Sequence, residues 1–322
     1  MKVVEVRRAG GPLTVAERPL PQPQAHQVRI RVEACGICHG DLMAVHGYHP
    51  GITFPRVPGH EVIGRIDAVG PEAEGWTVGQ RVGVGYVHGP LGVTGVTVDG
   101  GYAEYMVAHE NALVAIDEAW DAVVAAPLMC AGVTTFSALR QSAARPGDIV
   151  AIVGMGGLGH LAVQYARHFG YYTVALTRSP EKVEGARQLG AHEAILIGAA
   201  DPAAELLRLG GAKLILVTAP NAELASQLVR GLAHDGQLLT VIGGGEPLVV
   251  SPGEILGRRL SIRGWRVDDP EELPRALAFS LRAGVRPEVE AYPLDEAAYA
   301  FQRMLDGTVH YRAVLVPGRS QG

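Results

Sequence analysis

The spacing of apolar residues along this chain of 322 residues changes its period near Thr134. Before that point the apolar positions alternate over short runs, as at residues 28–32 (Val-Arg-Ile-Arg-Val) and 102–107 (Tyr-Ala-Glu-Tyr-Met-Val), with Gly and Pro between them. This pattern predicts β-strands joined by turns. Beyond it, strands over 149–153, 172–176, 214–217 and 238–242 are spaced for intervening helices, the first over 157–169. That helix would place Leu158, Leu161, Ala162, Tyr165, Ala166 and Phe169 on one face, which suits a crossover packed on a sheet. The alternation predicts an α/β doubly wound parallel sheet. After Gly264 the rhythm stops, and the tail reads as helices over 271–283 and 295–305 with a closing strand over 313–316. The expected organisation is a β-rich domain over 1–131, a cofactor-binding domain over 132–264, and a segment over 265–322 that returns to the first domain.

Composition narrows the classes of partner. A hydrophobic content of 48% gives enough apolar material for two cored domains. No run approaches the roughly eighteen apolar residues of a membrane span, and the first residues read as a strand and not as a signal peptide. Net charge is -5, the pI is near 6.2, and there is no basic run. Neither nucleic acid nor a membrane is therefore expected as a partner, and the cytoplasm is the expected location. Three cysteines in so long a chain predict reduced thiols and no disulfide framework.

Two sets of residues carry chemistry. The first is Gly154-Met155-Gly156-Gly157-Leu158-Gly159, which follows an apolar strand and opens an amphipathic helix. A chain that must turn tightly, approach a pyrophosphate and pack against a helix needs glycine at these three spacings, and the helix N-terminus adds free N–H groups. At the end of the next strand an NAD site normally has an acid for the ribose hydroxyls, but here the chain reads Thr177-Arg178-Ser179. Arg178 can pair with a 2′-phosphate, assisted by the hydroxyls of Thr177 and Ser179 and by Lys182. NADP(H) is favoured over NAD(H), the alternative being Glu181 in the ribose role.

The second set is Cys38-His39-Gly40-Asp41 with Gly59-His60-Glu61. Thiolate and imidazole together suit a Zn²⁺ ion that keeps one position open for chemistry. Cys130 is the candidate third ligand, while Cys35 reads as a small buried hydrophobe. Asp41 and Glu61 are candidate carboxylates behind the ligands, to orient His60 or to lend an oxygen. A metal and a dinucleotide in one chain point to hydride transfer.

Together with Gly64, Gly70 and residues 99–105 (Asp-Gly-Gly-Tyr-Ala-Glu-Tyr), these motifs resemble the zinc-dependent medium-chain dehydrogenase/reductases, which include alcohol dehydrogenases, over essentially the whole chain. The resemblance implies a GroES-like catalytic domain built from both chain ends around a Rossmann domain, with the active site in the cleft. It implies Cys38, His60 and Cys130 as catalytic zinc ligands and Glu61 as a residue that exchanges with water. It further implies His39 and Arg312 as pyrophosphate contacts, Thr134 at the nicotinamide, and a homodimer or homotetramer joined through Rossmann sheet edges.

The chain also departs from that family. The lobe that in most relatives carries four cysteines for a structural zinc is reduced to Pro90, Leu91 and Gly92, so one catalytic zinc and no structural zinc is expected; a natural and an engineered loss read alike. His88 beside it reads as a loop histidine. Where relatives carry a Ser or Thr and often a His as a proton relay, this chain has Gly40 and Met43. Slower alcohol oxidation or a narrower role is the expectation. The overall expectation is an NAD(P)(H)-dependent zinc alcohol dehydrogenase or aldehyde reductase, acting on a small-molecule alcohol, aldehyde or ketone, with aldehyde reduction as its working direction. A zinc-free quinone or enone reductase and a non-catalytic NADPH-binding protein are the rivals. Tyr48, Trp76, Tyr86, Leu91 and Trp265 are candidate pocket walls.

Overall fold

The computed structural model describes residues 1–87 and 92–318, so the readings placed on His88, Pro90 and Leu91 lie outside the described residues. The chain forms two units, Met1–Ala131 with Arg286–Gly322, and Gly132–Val285.

The first unit begins with an antiparallel pair, β1 (Lys2–Val6) and β2 (Leu13–Glu17). It continues through β3 (Gln27–Gly36), the short helix α1 (Leu42–His46), β4 (Glu61–Val69), β5 (Arg81–Val84), β6 (Tyr105–His109), β7 (Leu113–Ala115) and α2 (Ala122–Ala125). Val28, Ile30, Val32 and Ala34 of β3 alternate inward and are buried, as a strand with one face on a core requires. The strand expected over 102–107 starts only at Tyr105, because Tyr102 turns aside: its N–H donates to Pro58 O and its carbonyl accepts from Val4 N.

In the second unit, α3 (Ala131–Arg140) leads to β8 (Ile149–Val153), α4 (Gly159–His168), β9 (Tyr172–Thr177), α5 (Glu181–Gln188), β10 (Glu193–Leu196), α6 (Pro202–Arg208), β11 (Ala212–Val217), α7 (Ala222–Leu228), β12 (Leu232–Thr240), α8 (Pro252–Arg258) and β13 (Ser261–Gly264). The six strands pair only in parallel, in the order β10-β9-β8-β11-β12-β13. This is the Rossmann order, with its switch point beside the first strand. The central strands β8 and β11 are almost wholly apolar and buried, since helices cover both faces of such a sheet. Asp201 and Asn221 cap α6 and α7 by accepting from Ala203 N and Leu224 N.

The expected boundary at residue 264 moves. Helix α9 (Glu272–Ala283) packs within the second unit, and the return to the first begins at Arg286. The reason is side-chain chemistry: Phe279 packs among Phe136 and Phe169, Ser280 Oγ bonds Tyr165 Oη at 2.7 Å, and Trp265 Nε1 donates to Ser137 Oγ. Glu272, buried, is paired with Arg140. The last elements, β14 (Val289–Pro293), α10 (Ala297–Leu305) and β15 (Arg312–Val316), complete the first unit. Its mixed sheet runs β14-β15-β3-β4-β5-β7, with β6 also on β3. Among the described residues no single helix is long and apolar enough to cross a membrane.

Candidate metal centre and dinucleotide loop

The sheet of the first unit determines which side chains meet. β3 and β4 pair with Gly36 opposite Glu61 and Cys35 opposite Val62, and β15 pairs with β3 on the other side. Gly36 has no space for a side chain because that of Glu61, with its Cβ 3.0 Å from the place of an added Cβ, lies there. Cys38 follows directly after β3, His60 and Glu61 open β4, and Cys130 ends a turn of 3₁₀ helix at residues 126–129. One potential ligand atom from each of Cys38, His60, Glu61 and Cys130 lies within 4.8 Å of the others. Cys35 is not part of this group; its Sγ is buried and points at Gly36 O.

Asp41 organises the cluster. It is 1% exposed. One of its oxygens accepts from Gly59 N at 3.1 Å and pairs with His60 Nδ1 at 2.9 Å; the other accepts from Cys38 N at 3.0 Å and Tyr102 Oη at 2.9 Å. A carboxylate accepting at this distance keeps a proton on His60 Nδ1, which leaves Nε2 as the nitrogen that would ligate a metal. Tyr86 stands edge-on to the ring, with centroids 5.2 Å apart. Its hydroxyl donates to Met43 Sδ at 3.1 Å.

The electrostatics fit a cation. His60 Nε2 and Glu61 Oε1 are buried and have no hydrogen-bond partner, an arrangement costly to maintain unless something binds there. Contact with Cys130, and then with His60, holds the Cys38 thiol well below its ordinary range against the effect of burial, while the same contact and burial push Cys130 up. Burial pushes Glu61 up to about 8, opposed by Arg312. Two thiols, the buried Cys38 and the half-buried Cys130, beside an imidazole and a carboxylate are a donor set suited to Zn²⁺.

Arg312, expected at the pyrophosphate, is 4% exposed and its guanidinium pairs with Glu61 Oε2. A carboxylate as buried as Glu61 needs a compensating charge, and Arg312 supplies it. His39 is exposed, and Thr134 is half-buried on α3. Of the proposed walls, Tyr86 reaches the cluster, whereas Tyr48 is exposed and stacks on His46, and Trp76 donates to Glu110 O. Trp265 lies in the second unit on Ser137.

In the second unit a cavity of about 270 Å³ is lined by Gly154, Gly156, Thr177, Arg178, Ser179 and Lys182, among others. Gly154 has φ +97, and the place of an added Cβ is 2.8 Å from Ala219 Cβ. Gly159 starts α4 directly under the Gly154 carbonyl, which leaves no room for a side chain. Gly157 and Leu158 form the turn into that helix, two residues later than expected. Thr177 is buried and its hydroxyl accepts from Ser179 N, which also shapes the loop beside the cavity.

Sequence reasoning missed two supports. Tyr102 lies in the glycine-rich run at 99–105, but its grip on Asp41 spans 61 residues and no local pattern reveals it. Thr218 Oγ1 lies 2.9 Å from Val153 O and 3.1 Å from Gly154 O and ties β11 to the glycine loop; its place at the end of an apolar strand was the available signal.

Two family models match, the alcohol dehydrogenase GroES-like domain over residues 24–118 and the zinc-binding dehydrogenase domain over 157–282. Alcohol dehydrogenase notN of Aspergillus sp. (strain MF297-2) is 40% identical over 326 residues, covering 96% of each chain. The chain belongs to the medium-chain dehydrogenase/reductase family, in its alcohol dehydrogenase-like branch. An alcohol dehydrogenase of Geobacillus stearothermophilus is 36% identical, covering 98% of this chain and 99% of the other. The crystal structure of the alcohol dehydrogenase from the hyperthermophilic archaeon Aeropyrum pernix superposes with a TM-score of 0.90 at 28% identity, over 98% of this chain and all of that one. This membership makes the first unit's mixed sheet the GroES-like domain and the parallel sheet the Rossmann domain.

Proposed function

We propose that this member of the family is a zinc-dependent, NAD(P)(H)-linked alcohol dehydrogenase or aldehyde reductase that uses NADP(H) and works towards aldehyde reduction. The observation that carries the reading is the convergence of Cys38, His60, Glu61 and Cys130, with His60 Nε2 and Glu61 Oε1 buried and unpartnered. Cys38, His60 and Cys130 would hold the ion, with Glu61 as an exchangeable fourth group. A Zn²⁺ bound there supplies Lewis acidity, which polarises a carbonyl or acidifies an alcohol.

The chain's own residues do the rest. Asp41 fixes the tautomer and direction of His60. Arg312 balances Glu61, so that two thiolates can neutralise a dication without a surplus of buried charge. The N–H groups at the start of α4 would bind the pyrophosphate, and Arg178 with Lys182 would pair with a 2′-phosphate. Gly40 and Met43 provide no hydroxyl or imidazole to carry a proton, so solvent would exchange it directly in either direction.

Metal analysis combined with NADPH oxidation over a panel of aldehydes is the test. One zinc per chain with chelator-sensitive turnover is expected. Turnover of quinones or enones that ignores chelators, or cofactor binding with no turnover, would each replace this reading. A homodimer or homotetramer is the expected assembly: β13 is an open sheet edge whose residues are all exposed, with Ile262 on it and Leu256 of the neighbouring α8 81% exposed. Size-exclusion chromatography with light scattering on Leu256→Arg would then show monomer.

A further inference from the structure

The segment over 100–102 encloses the residues that deliver His60. Gly100 N donates to Val57 O at 2.8 Å, Gly101 N to Gly59 O at 2.9 Å and Tyr102 N to Pro58 O at 3.0 Å. Gly59 has φ +100, and the place of an added Cβ there lies 2.4 Å from Cδ1 of Tyr102 and 2.7 Å from Cys35 Sγ. The phenol ring thus packs on the bare Cα that precedes the histidine. The carbonyl of Tyr102 is held from the other side by Val4 N at 2.8 Å, and the residue is fully buried. A ring so confined points its hydroxyl one way. That hydroxyl donates to Asp41 Oδ2 at 2.9 Å, while the other oxygen of the same carboxylate takes His60 Nδ1.

We propose that Tyr102 is a positioning residue for the metal: its hydroxyl stops the Asp41 carboxylate from turning and so keeps His60 Nε2 directed at Cys38 and Cys130. The proposal rests on the zinc reading above. Asp41 receives four donors, and three of them, Cys38 N, Gly59 N and His60 Nδ1, belong to the ligands or to the residue beside one. Those three move with the site they are meant to hold. Tyr102 reaches the carboxylate from a separate segment, 61 residues along the chain, and is its independent anchor. Without the hydroxyl, Oδ2 keeps Cys38 N alone, a bond within one short turn. The carboxylate can then rotate and take the imidazole with it, and a buried charge loses a donor that compensates it.

The test loads the wild-type protein, Tyr102→Phe and Tyr165→Phe with Zn²⁺ and measures its affinity by competition with a chromogenic chelator, then records the visible spectra of the Co²⁺ forms. Tyr102→Phe keeps the ring on Gly59 and loses only the hydroxyl. It should bind zinc about tenfold more weakly and shift the cobalt bands, the lower end of the range for disturbing a metal ligand's support. Tyr165 is equally buried, and its hydroxyl bonds Ser280 in the other unit. Tyr165→Phe therefore controls for the loss of any buried hydroxyl and should bind zinc as wild type does. NADPH titration and circular dichroism check that both variants are folded. In an Asp41→Ala background Tyr102→Phe should cost little further affinity, because the hydroxyl acts through that carboxylate. Zinc affinity and cobalt spectra in Tyr102→Phe that match wild type would overturn the proposal, as would an equal loss in Tyr165→Phe or a full loss that persists without the Asp41 carboxylate. Those outcomes leave the zinc reading standing, since the wild-type protein still holds its metal. If the wild-type protein holds no stoichiometric metal, the zinc reading fails first and this proposal falls with it.

Discussion

Asp41 and His60 form a buried carboxylate–imidazole pair at 2.9 Å, and the pair aims Nε2 of the ring at Cys38, Cys130 and Glu61. The same carboxylate also receives the Gly59 and Cys38 N–H groups.

Asp41→Asn should therefore act through the metal. The amide keeps one acceptor but loses the charge and one of the two oxygens that Cys38 N, Gly59 N, Tyr102 and His60 share. Zinc affinity measured by chelator competition should fall about tenfold to a hundredfold. Unchanged affinity would remove Asp41 from the support of the site.

Cofactor choice depends on Arg178 in the cavity beside the glycine loop. A hydrogen bond to a charged group is worth about 1.5–3 kcal/mol, so Arg178→Ala should raise the Kd for NADPH by about tenfold or more and leave that for NADH nearly unchanged. Fluorescence titration with both cofactors decides it; an equal loss for the two would point to NAD.

Gly154→Ala combines a positive φ with a contact against Ala219. Alanine at φ +97 is strained and the two methyls cannot coexist without movement. Stability by urea unfolding should fall by about 1–3 kcal/mol, with weaker NADPH binding. Wild-type values for both would show that the loop adapts.

Acid sensitivity should appear at Glu5, which is 5% exposed. Burial works against its charge, but hydrogen bonds from Arg18 and Arg7 outweigh it and hold the carboxyl below its ordinary 4.5. A depressed folded pKa means that the ion pair stabilises above pH 4.5 and that its contribution is lost as pH falls through the folded value. Glu5→Gln should be less stable than wild type by about 2 kcal/mol at pH 7, and the gap should close in acid. A gap that persists at pH 2 would assign the effect to shape and not charge.

Contiguous residues and their period were enough to reveal the parallel sheet, the glycine turn and the metal-ligating residue types, because each depends on short-range geometry: a strand of apolar residues, a turn only glycine can make, a thiol and an imidazole near each other in the chain. The reach of α9 was not legible in this way. Its helical period was plain, but its attachment to the second unit depends on Phe279 and Ser280 meeting Phe136 and Tyr165. Nor could spacing show that Arg312 stands against Glu61, 251 residues away, or that the ring of His60 lies against the bare Cα of Gly40. Those are matters of which strand pairs with which and in what register, and a shift of one residue between β3 and β4 would turn Glu61 to the opposite face. Folding alone decides how tightly side chains from distant segments share a volume.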